Sequence, residues 1–162
     1  MTTILAIDLG KFKSVACTYH SSDGQHTFQT LATQPAAMHD LIVAVEPARV
    51  VIEVGSASGW VKDLCEALKV PVQVANPNSE AWRWKNVKRK TDKDDALKLA
   101  QLSAMGQLPT VTLPSTRVRQ WRSFIAYRHT LVARRTAVKN SIRAILDRQG
   151  FDLPPRFVPR LC

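Results

Sequence analysis

The stretch TTILAIDLG, residues 2–10, is a short apolar run with β-branched residues that ends at Asp8, Leu9 and Gly10. Such a run is typical of a buried β-strand that meets a turn. Downstream, SVACTYH (14–20) and HTFQTLAT (26–33) flank the dipeptide Asp23-Gly24, which is a strong hairpin signal. The beginning of the chain therefore predicts three strands in a meander.

Helical and strand periods alternate in the next part of the chain. Apolar residues recur at helical spacing over 35–46, with a proline in the first turn, where proline is tolerated. RVVIEVGS (49–56) predicts a strand interrupted only by Glu53, GWVKDLCEALK (59–69) predicts a second helix, and PVQVAN (71–76) predicts a fifth strand. The order β-β-β-α-β-α-β predicts an α/β fold with a mixed five-stranded sheet and flanking helices.

Further helices follow the fifth strand. NSEAWRWKNVKR (78–89) predicts a short helix or a basic loop, and TDKDDALKLAQLSAMG (91–106) predicts a helix ended by its glycine. After the extended segment QLPTVTLP (107–114), a long polar helix is predicted over 115–149. The predicted organisation is a domain over 1–108, a linker over 109–114, a long basic helix over 115–150 and a tail over 151–162.

The long helix carries two unequal seams at heptad spacing. One seam is apolar, and the other is half basic, whereas a strict coiled coil has two apolar seams. The apolar seam consists of Phe124, Leu131, Val138 and Ile145, and the mixed seam consists of Trp121, Arg128, Arg135 and Ile142. We interpret the helix as a partial coiled coil that packs against another helix for part of its length and presents arginine to phosphate elsewhere.

Charge is distributed unevenly along the chain, whose formal net charge is +10. Residues 1–82 contain five Lys/Arg and eight Asp/Glu, a net charge of −3, whereas residues 83–162 contain eighteen and five, a net charge of +13. Such an asymmetry favours a nucleic acid as the partner of the second half, and a solvated basic surface is the alternative. Three cysteines without CxxC spacing indicate neither a zinc site nor a disulfide framework. No apolar run approaches the roughly 20 residues of a membrane span, so we expect a cytoplasmic protein without a membrane partner.

Four carboxylates stand out by their position. Asp8 closes one apolar strand and Glu53 interrupts another, where an isolated charge loses solvation. Asp92 and Asp95 are three residues apart and share a helix face, whereas Asp94 points elsewhere. The alternatives are a turn role for Asp8, an outward position on an edge strand for Glu53, and helix-capping roles for the acids after Thr91.

In combination these carboxylates predict a metal site. If the first and fourth strands are neighbours with matching pleats, Asp8 and Glu53 face the same side of the sheet. A helix packed over those strands then brings Asp92 and Asp95 to the same place. Hard oxygen ligands are what Mg²⁺ prefers, and two such ions can clamp the attacking and leaving oxygens of a phosphodiester.

Four segments in order resemble a known family: AIDLGKFKSVACTYH, VVIEVGSASGW, ANPNSEAWRW and KTDKDDALKLAQL. They are similar to the N-terminal domain of DEDD-type insertion-sequence transposases, relatives of the Piv-like DNA invertases. The resemblance covers residues 3 to about 150 and implies the RNase H-like fold in its RuvC-like (Holliday-junction resolvase) branch.

The resemblance also implies a function. It assigns Asp8, Glu53, Asp92 and Asp95 as catalytic residues that bind Mg²⁺ or Mn²⁺, and it implies phosphodiester chemistry on DNA in bacterial transposition. The implied partners are insertion-sequence ends and target DNA, a structured guide RNA, and further copies of the chain in a homodimer or larger homo-oligomer. Family members carry a nucleophilic serine in a separate C-terminal domain, which this chain lacks, so we expect a truncated or fragment form located at the nucleoid.

Basic and aromatic residues are candidates for nucleic-acid contact, since aromatics among bases suit unpaired strands. The candidates are Lys11, Lys13, Trp82, Arg83, Trp84, Lys85, Lys88, Arg89, Lys90, Arg117, Arg119, Arg122, Arg128, Arg134, Arg135, Lys139 and Arg143. Burial of a tryptophan against the sheet, and salt-bridged packing of the long helix in an oligomer, are the alternatives.

Two other functions compete with a metal-dependent transposase domain. One is a non-catalytic nucleic-acid-binding regulator with the same fold. The other is an actin-like ATPase or sugar kinase, whose first strand resembles AIDLG, but such enzymes need a second lobe for which 162 residues leave no room.

Overall fold

The computed structural model describes residues 2–76 and 91–151 of the chain. The chain divides into two compact units, Met1–Leu113 and Pro114–Cys162. In chain order the strands and helices are β1 (Thr3–Asp8), β2 (Lys13–His20), β3 (His26–Ala32), α1 (Pro35–Val45), β4 (Arg49–Glu53), α2 (Ser58–Ala67), β5 (Val72–Ala75), α3 (Asp92–Ala104) and α4 (Thr116–Arg148). This order confirms the predicted α/β fold with a mixed five-stranded sheet and a long C-terminal helix. The predicted helix or loop at 78–89 lies outside the described residues.

The sheet of the first unit has the strand order β3-β2-β1-β4-β5. β2 pairs antiparallel with both β1 and β3, while β4 runs parallel to both β1 and β5. β1 occupies the centre because it is apolar on both faces. Its residues Ile4, Leu5, Ala6 and Ile7 are all fully buried. Alternation along the strand sends successive side chains to opposite faces, so two separate cores form.

One core lies between the sheet and helices α1 and α2. It contains Leu5 and Ile7 of β1 together with Met38 of α1, and Val61 and Cys65 of α2. Burial of these large side chains stabilises each by about 1.5–3 kcal/mol relative to exposure. The two helices therefore cover one face of the sheet.

The other core lies under α3. Ile4 and Ala6 of β1 pack there with Ala96, Leu99 and Ala100 of the helix. Small side chains on both sides allow the helix axis to approach the sheet closely. This close packing fixes the position of α3 over the centre of the sheet.

The two edges of the sheet differ. Along β5, the backbone N–H of Asn76 donates to the carbonyl of Pro109 at 2.8 Å, and that of Val111 donates to the carbonyl of Val74 at 2.8 Å. Part of the segment predicted as a linker thus adds to the sheet edge. β3 forms the opposite edge, and within the described residues β2 is its only neighbouring strand.

Helix α4 makes up most of the described part of the second unit. It begins after Ser115, whose side chain accepts a hydrogen bond from the N–H of Val118, and it ends before Gln149. The prediction of a helix over 115–149 agrees with these bounds. No residue of α4 is buried. Within residues 2–76 and 91–151, no helix is both long and apolar enough to cross a membrane.

Candidate metal centre and nucleic-acid interface

Asp8 and Glu53 occupy equivalent positions on two adjacent strands. β1 and β4 are paired in parallel with Ile7 opposite Ile52, so the next register position on each strand is a carboxylate. Neighbouring strands are about 4.8 Å apart. Both acidic residues are half-buried. β4 lies between β1 and β5, so the edge-strand alternative for Glu53 is wrong.

Both carboxylates also belong to the face of the sheet that α3 covers. Asp8 is two residues after Ala6, and Glu53 is two residues after Val51. Ala6 and Val51 are buried in the core beneath α3. Because side chains two apart on a strand share a face, Asp8 and Glu53 lie on this side of the sheet.

Hydrogen bonds at the far end of α3 set its direction. The Arg49 guanidinium, at the start of β4, donates from Nε to Ser103 Oγ at 2.8 Å and from Nη2 to the Ser103 carbonyl at 2.9 Å. Ser103 Oγ in turn donates to Oε1 of Gln73 on β5 at 2.6 Å. The C-terminal end of α3 therefore lies over the beginning of β4.

At the other end of α3, Lys93 Nζ lies 5.7 Å from the centroid of the Phe28 ring on β3, so the first turn of the helix reaches towards that strand. From Ser103 back to Asp95 the helix spans about 12 Å at 1.5 Å per residue. From Arg49 to Glu53 the strand spans about 13 Å at 3.3 Å per residue. Asp95 is therefore about as far along α3 from the Arg49–Ser103 contact as Glu53 is along β4. It is half-buried, and its Oδ1 is shielded from solvent.

The other acids at the start of α3 have different surroundings. Thr91 is the N-cap, and its Oγ1 accepts from the N–H of Asp94 at 3.3 Å while the Asp94 carboxylate accepts from the N–H of Thr91 at 3.0 Å. The hydrogen bond from the Thr91 hydroxyl, at 2.6 Å, lowers the pKa of the Asp94 carboxyl. Asp92 is exposed in the first turn. The capping alternative is thus correct for Thr91 and Asp94. Asp92 and Asp95 also lie in the first turn, where negative charge suits the helix dipole.

The donor set suits a divalent ion by its chemistry. Among residues 2–76 and 91–151, no group of three or more His, Cys, Asp or Glu side chains is arranged to hold a metal ion. Asp8 and Glu53 occupy adjacent register positions, Asp95 lies in the first turn of the helix that covers this side of the sheet, and all three are half-buried. Carboxylate oxygens are the ligands that divalent ions such as Mg²⁺ prefer, and a cation offsets the repulsion between carboxylates that share it.

Basic residues follow Asp8 at the same end of the sheet. Lys11 lies in the β1–β2 connection, Lys13 begins β2, and both are exposed. The predicted contacts Trp82, Arg83, Trp84, Lys85, Lys88, Arg89 and Lys90 lie outside the described residues.

The remaining predicted contacts lie on α4. Five are exposed on its surface: Arg117, Arg122, Arg128, Arg134 and Arg135. Arg119, Lys139 and Arg143 are half-buried. The Arg119 side chain donates from Nη1 to the carbonyl of Pro114 at 2.6 Å, so it also holds the start of the helix.

Sequence reasoning missed the hydrogen bonds that position α3. Arg49 and Ser103 are 54 residues apart, and Gln73 is 30 residues from Ser103. Hydrophobic periodicity reports which face of an element is buried and carries no signal for such long-range polar pairs. In the turn before α2, Ser58 Oγ donates to the carbonyl of Gly55 at 2.7 Å.

The fold is that of an RNase H-like domain of the RuvC-like branch. It is defined by the parallel pairing of β1 with β4, by the antiparallel meander of β1, β2 and β3, and by the acidic residues that end β1 and β4. The chain is similar to Thermus thermophilus RuvC in complex with a Holliday junction substrate, with a TM-score of 0.50 and 14% identity over 68% of this chain and 100% of that one. A structure of Thermus thermophilus RuvC (TM-score 0.46, 14% identity, 68% and 100% coverage) and one of fowlpox virus resolvase with Holliday junction DNA (TM-score 0.40, 13% identity, 67% and 89% coverage) also match.

The family is shown by a sequence comparison. The model of the family DEDD_Tnp_IS110, described as a transposase, matches residues 5–150. The chain therefore belongs to the IS110-type DEDD transposase family, and membership implies a divalent metal ion. No curated protein matches the sequence.

Proposed function

We propose that this chain is the metal-binding, DNA-processing domain of a transposase, with Mg²⁺ or Mn²⁺ held by Asp8, Glu53, Asp92 and Asp95. The observation that supports the proposal is the placement of two half-buried carboxylates, Asp8 and Glu53, at adjacent register positions of β1 and β4. They are more than forty residues apart in sequence, and they lie on the side of the sheet that α3 covers. Helix capping explains Asp94 and does not account for these two strand residues.

Each residue has a different position at the proposed metal centre. Asp8 and Glu53, on adjacent strands, form a rigid pair because β1 is fully buried and β4 is paired on both sides. Asp95 approaches from α3, and exposed Asp92 provides a donor on the solvent side. When bound, a divalent ion supplies electrostatic stabilisation to a scissile phosphate.

DNA is the proposed substrate, and a structured RNA is a proposed second ligand. In its complex, Thermus thermophilus RuvC is bound to a Holliday junction substrate. In this chain, Lys11 and Lys13 beside the carboxylates and the arginines of α4 provide positive charge for phosphates. Family resemblance, rather than any contact in the structure, is the reason to propose a guide RNA.

Self-association through α4 is the third part of the proposal. Phe124, Leu131, Val138 and Ile145 recur every seven residues and are 69%, 46%, 50% and 59% exposed. An exposed apolar seam of this length is unfavourable in water and suits a second helix of the same kind. The arginines of the mixed seam favour an offset or partial pairing that leaves charge for phosphate.

The metal centre is tested by thermal unfolding of the full chain with Mn²⁺, Mg²⁺ or neither. A ligand that binds only the folded state stabilises by about 2.7 kcal/mol at one hundred times its Kd. We expect a rise in Tm with either ion in the wild type. The rise should be lost in Asp8→Asn and Glu53→Gln and reduced in Asp95→Asn.

Asp94→Asn provides a matched control, because it removes a carboxylate from the same turn of α3 without touching the proposed centre. It should lower the Tm slightly and keep the full response to the ion. Equal responses to Mn²⁺ in the wild type and in Asp8→Asn would contradict the metal centre and favour the non-catalytic regulator.

Nucleic-acid binding is tested by anisotropy titrations of duplex DNA and structured RNA over a range of salt concentrations. The slope of log K against log salt is about −0.9 for each phosphate neutralised on duplex DNA. We expect a steep slope for both ligands that becomes shallower in Arg128→Gln/Arg135→Gln. Asp40→Asn on α1, which leaves every basic residue in place, serves as the control. A salt-independent affinity would contradict the assignment of α4 to phosphate.

A further inference from the structure

The connection between β1 and β2 is a rigid turn. A Cβ atom at Gly10 would lie 2.1 Å from the carbonyl oxygen of Lys13, so only glycine fits there. Thr33 holds the turn from the other side: its Oγ1 donates to the carbonyl of Gly10 at 2.9 Å, and its N–H donates to the carbonyl of Phe12 at 3.0 Å. Thr33 Oγ1 also lies 2.7 Å from the hydroxyl of buried Ser14. The backbone around residue 12 is therefore fixed on both sides.

This rigid turn holds an aromatic ring in solvent. Phe12 is 75% exposed, the highest value among the large hydrophobic side chains in the described part of the chain. Exposure of a phenylalanine is unfavourable, and a flexible loop would let the ring fold back onto the protein. The hydrogen bonds from Thr33 restrict the backbone movement that would bury the ring.

The surroundings of Phe12 are positively charged. Lys11 Nζ lies 5.1 Å from the centroid of the Phe12 ring, and Lys13 follows directly on the other side. Between Asp8 and Asp23 the sequence contains no acidic residue. An apolar ring beside an ammonium group is a poor match for an apolar protein surface and a good match for a base beside its phosphate.

The Phe12 backbone lies at the same end of the sheet as Asp8. Asp8 is paired with Val15 across the two strands, and Phe12 is three residues before Val15. Phe12 lies in the bend just before β2, so its backbone is beyond the level of Asp8 at this end of the sheet.

We propose that Phe12 stacks on an unpaired base of the bound nucleic acid, within a few nucleotides of the phosphate held at the carboxylates. Lys11 and Lys13 contact the phosphates on either side of that base. The inference rests on the proposed function, because it takes nucleic acid as the ligand of this edge. Phe12 is thus a positioning residue that sets which phosphate reaches the carboxylates.

The test measures binding of the full chain to three labelled probes: a single-stranded DNA, a single-stranded RNA of the same sequence and the corresponding DNA duplex. Loss of one base–aromatic stack weakens binding by roughly 5- to 100-fold. We expect Phe12→Ala to show this loss on a single strand and little change on the duplex. Phe12→Leu should regain only a small part of the affinity that Phe12→Ala loses, and Phe12→Trp should keep the wild-type affinity. The reason is that stacking depends on the π face of the side chain more than on its apolar volume.

Lys11→Ala is the matched control, since it removes a neighbouring charge and keeps the ring. It should make the salt slope shallower by about 0.7 on a single strand, whereas Phe12→Ala should weaken binding at every salt concentration with the slope unchanged. The relative losses on DNA and RNA identify which strand supplies the base.

Three outcomes overturn the inference. Single-strand affinities of Phe12→Ala within twofold of the wild type would do so, as would full recovery by Phe12→Leu. Dissociation of an oligomer in Phe12→Ala with unchanged affinity would assign the ring to a protein contact instead. Failure of the wild type to bind any probe would contradict the proposed function itself, and is therefore distinguishable.

Discussion

The central sheet and helix α4 bury their apolar residues in opposite ways. In β1, the four residues between Thr3 and Asp8 are fully buried between two layers of helices. In α4, which is 33 residues long, no residue is buried, and the seam from Phe124 to Ile145 faces solvent. The sheet is stabilised by contacts within the chain, and the helix carries apolar surface suited to a partner. This difference separates a buried scaffold that positions Asp8 and Glu53 from an exposed helix for which we propose self-association.

Core substitutions should separate the two regions most clearly. Leu99 on α3 is fully buried, so Leu99→Ala should lower the free energy of unfolding by about 2–5 kcal/mol. Leu131→Ala on α4 is the matched substitution at a 46% exposed site, where the loss within one chain should be within about 0.5 kcal/mol.

Urea unfolding at two protein concentrations measures this difference. The loss in Leu99→Ala should be independent of concentration, whereas any larger loss in Leu131→Ala should depend on concentration, because self-association links stability to mass action. A loss in Leu131→Ala as large as in Leu99→Ala at every concentration would remove the contrast between the two regions.

The hydrogen bonds of Arg49 should give the next largest effect. Arg49→Ala removes two charge-assisted bonds to Ser103 and should lower the free energy of unfolding by about 1.5–3 kcal/mol. It should also weaken Mn²⁺ binding, since the far end of α3 is released. Arg49→Lys keeps the charge without the paired geometry, so its free energy of unfolding should lie between those of the wild type and Arg49→Ala. Unchanged Mn²⁺ affinity in Arg49→Ala would show that the helix is positioned by packing alone.

The N-cap of α3 should have a smaller effect with a characteristic pH dependence. Thr91→Ala should lower the free energy of unfolding by about 1 kcal/mol at neutral pH. The pKa of Asp94 is lowered by the Thr91 hydroxyl, so this contribution is present above the pKa of the unfolded state, about 3.9, and is lost as pH falls through the folded value. Urea unfolding at pH 7 and at pH 3 should therefore show a difference between wild type and Thr91→Ala that shrinks in acid. A constant difference would contradict the capping box.

The buried thiols should show the smallest effect at neutral pH. Burial raises the pKa of Cys17 and of Cys65 to about 11, so both remain protonated and unreactive well above pH 8. Since unfolded thiols release their protons first, the stability of the sheet unit should fall as pH rises from about 9 to about 11. Iodoacetamide labelling with peptide mapping should be slow at both cysteines in native protein and fast in urea. Rapid native labelling would indicate that the core opens locally.

The sequence predicted much of the fold because the helical and strand spacings of its apolar residues are strong and local. The β-branched runs that end at Asp8 and Glu53 predicted the two strands, and the register of the structure makes these residues neighbours on one face. The heptad spacing from Phe124 to Ile145 predicted α4. These features depend on residues within one turn or one pleat of each other, which a sequence displays directly.

The remaining features depend on contacts that no local pattern reports. The direction of α3 follows from Arg49, Ser103 and Gln73, which are distant in sequence. Phe12 was missed because one aromatic in a short turn has no period, and its significance comes from the exposure that Thr33 enforces. The tetrad and its metal remain a prediction, supported by the adjacent register positions of Asp8 and Glu53.

The unequal edges of the sheet have a consequence for folding in the cell. Backbone groups of 109–111 cover β5, so that side is closed to intruding strands. β3 reads HTFQTLA, seven residues without lysine, glutamate or proline, and in the described chain its outer backbone faces no strand. Such an edge is a template for aggregation while the chain is being synthesised. Insoluble material formed at high expression should begin at β3, and Gln29→Lys is the substitution that protects it at least cost to the core.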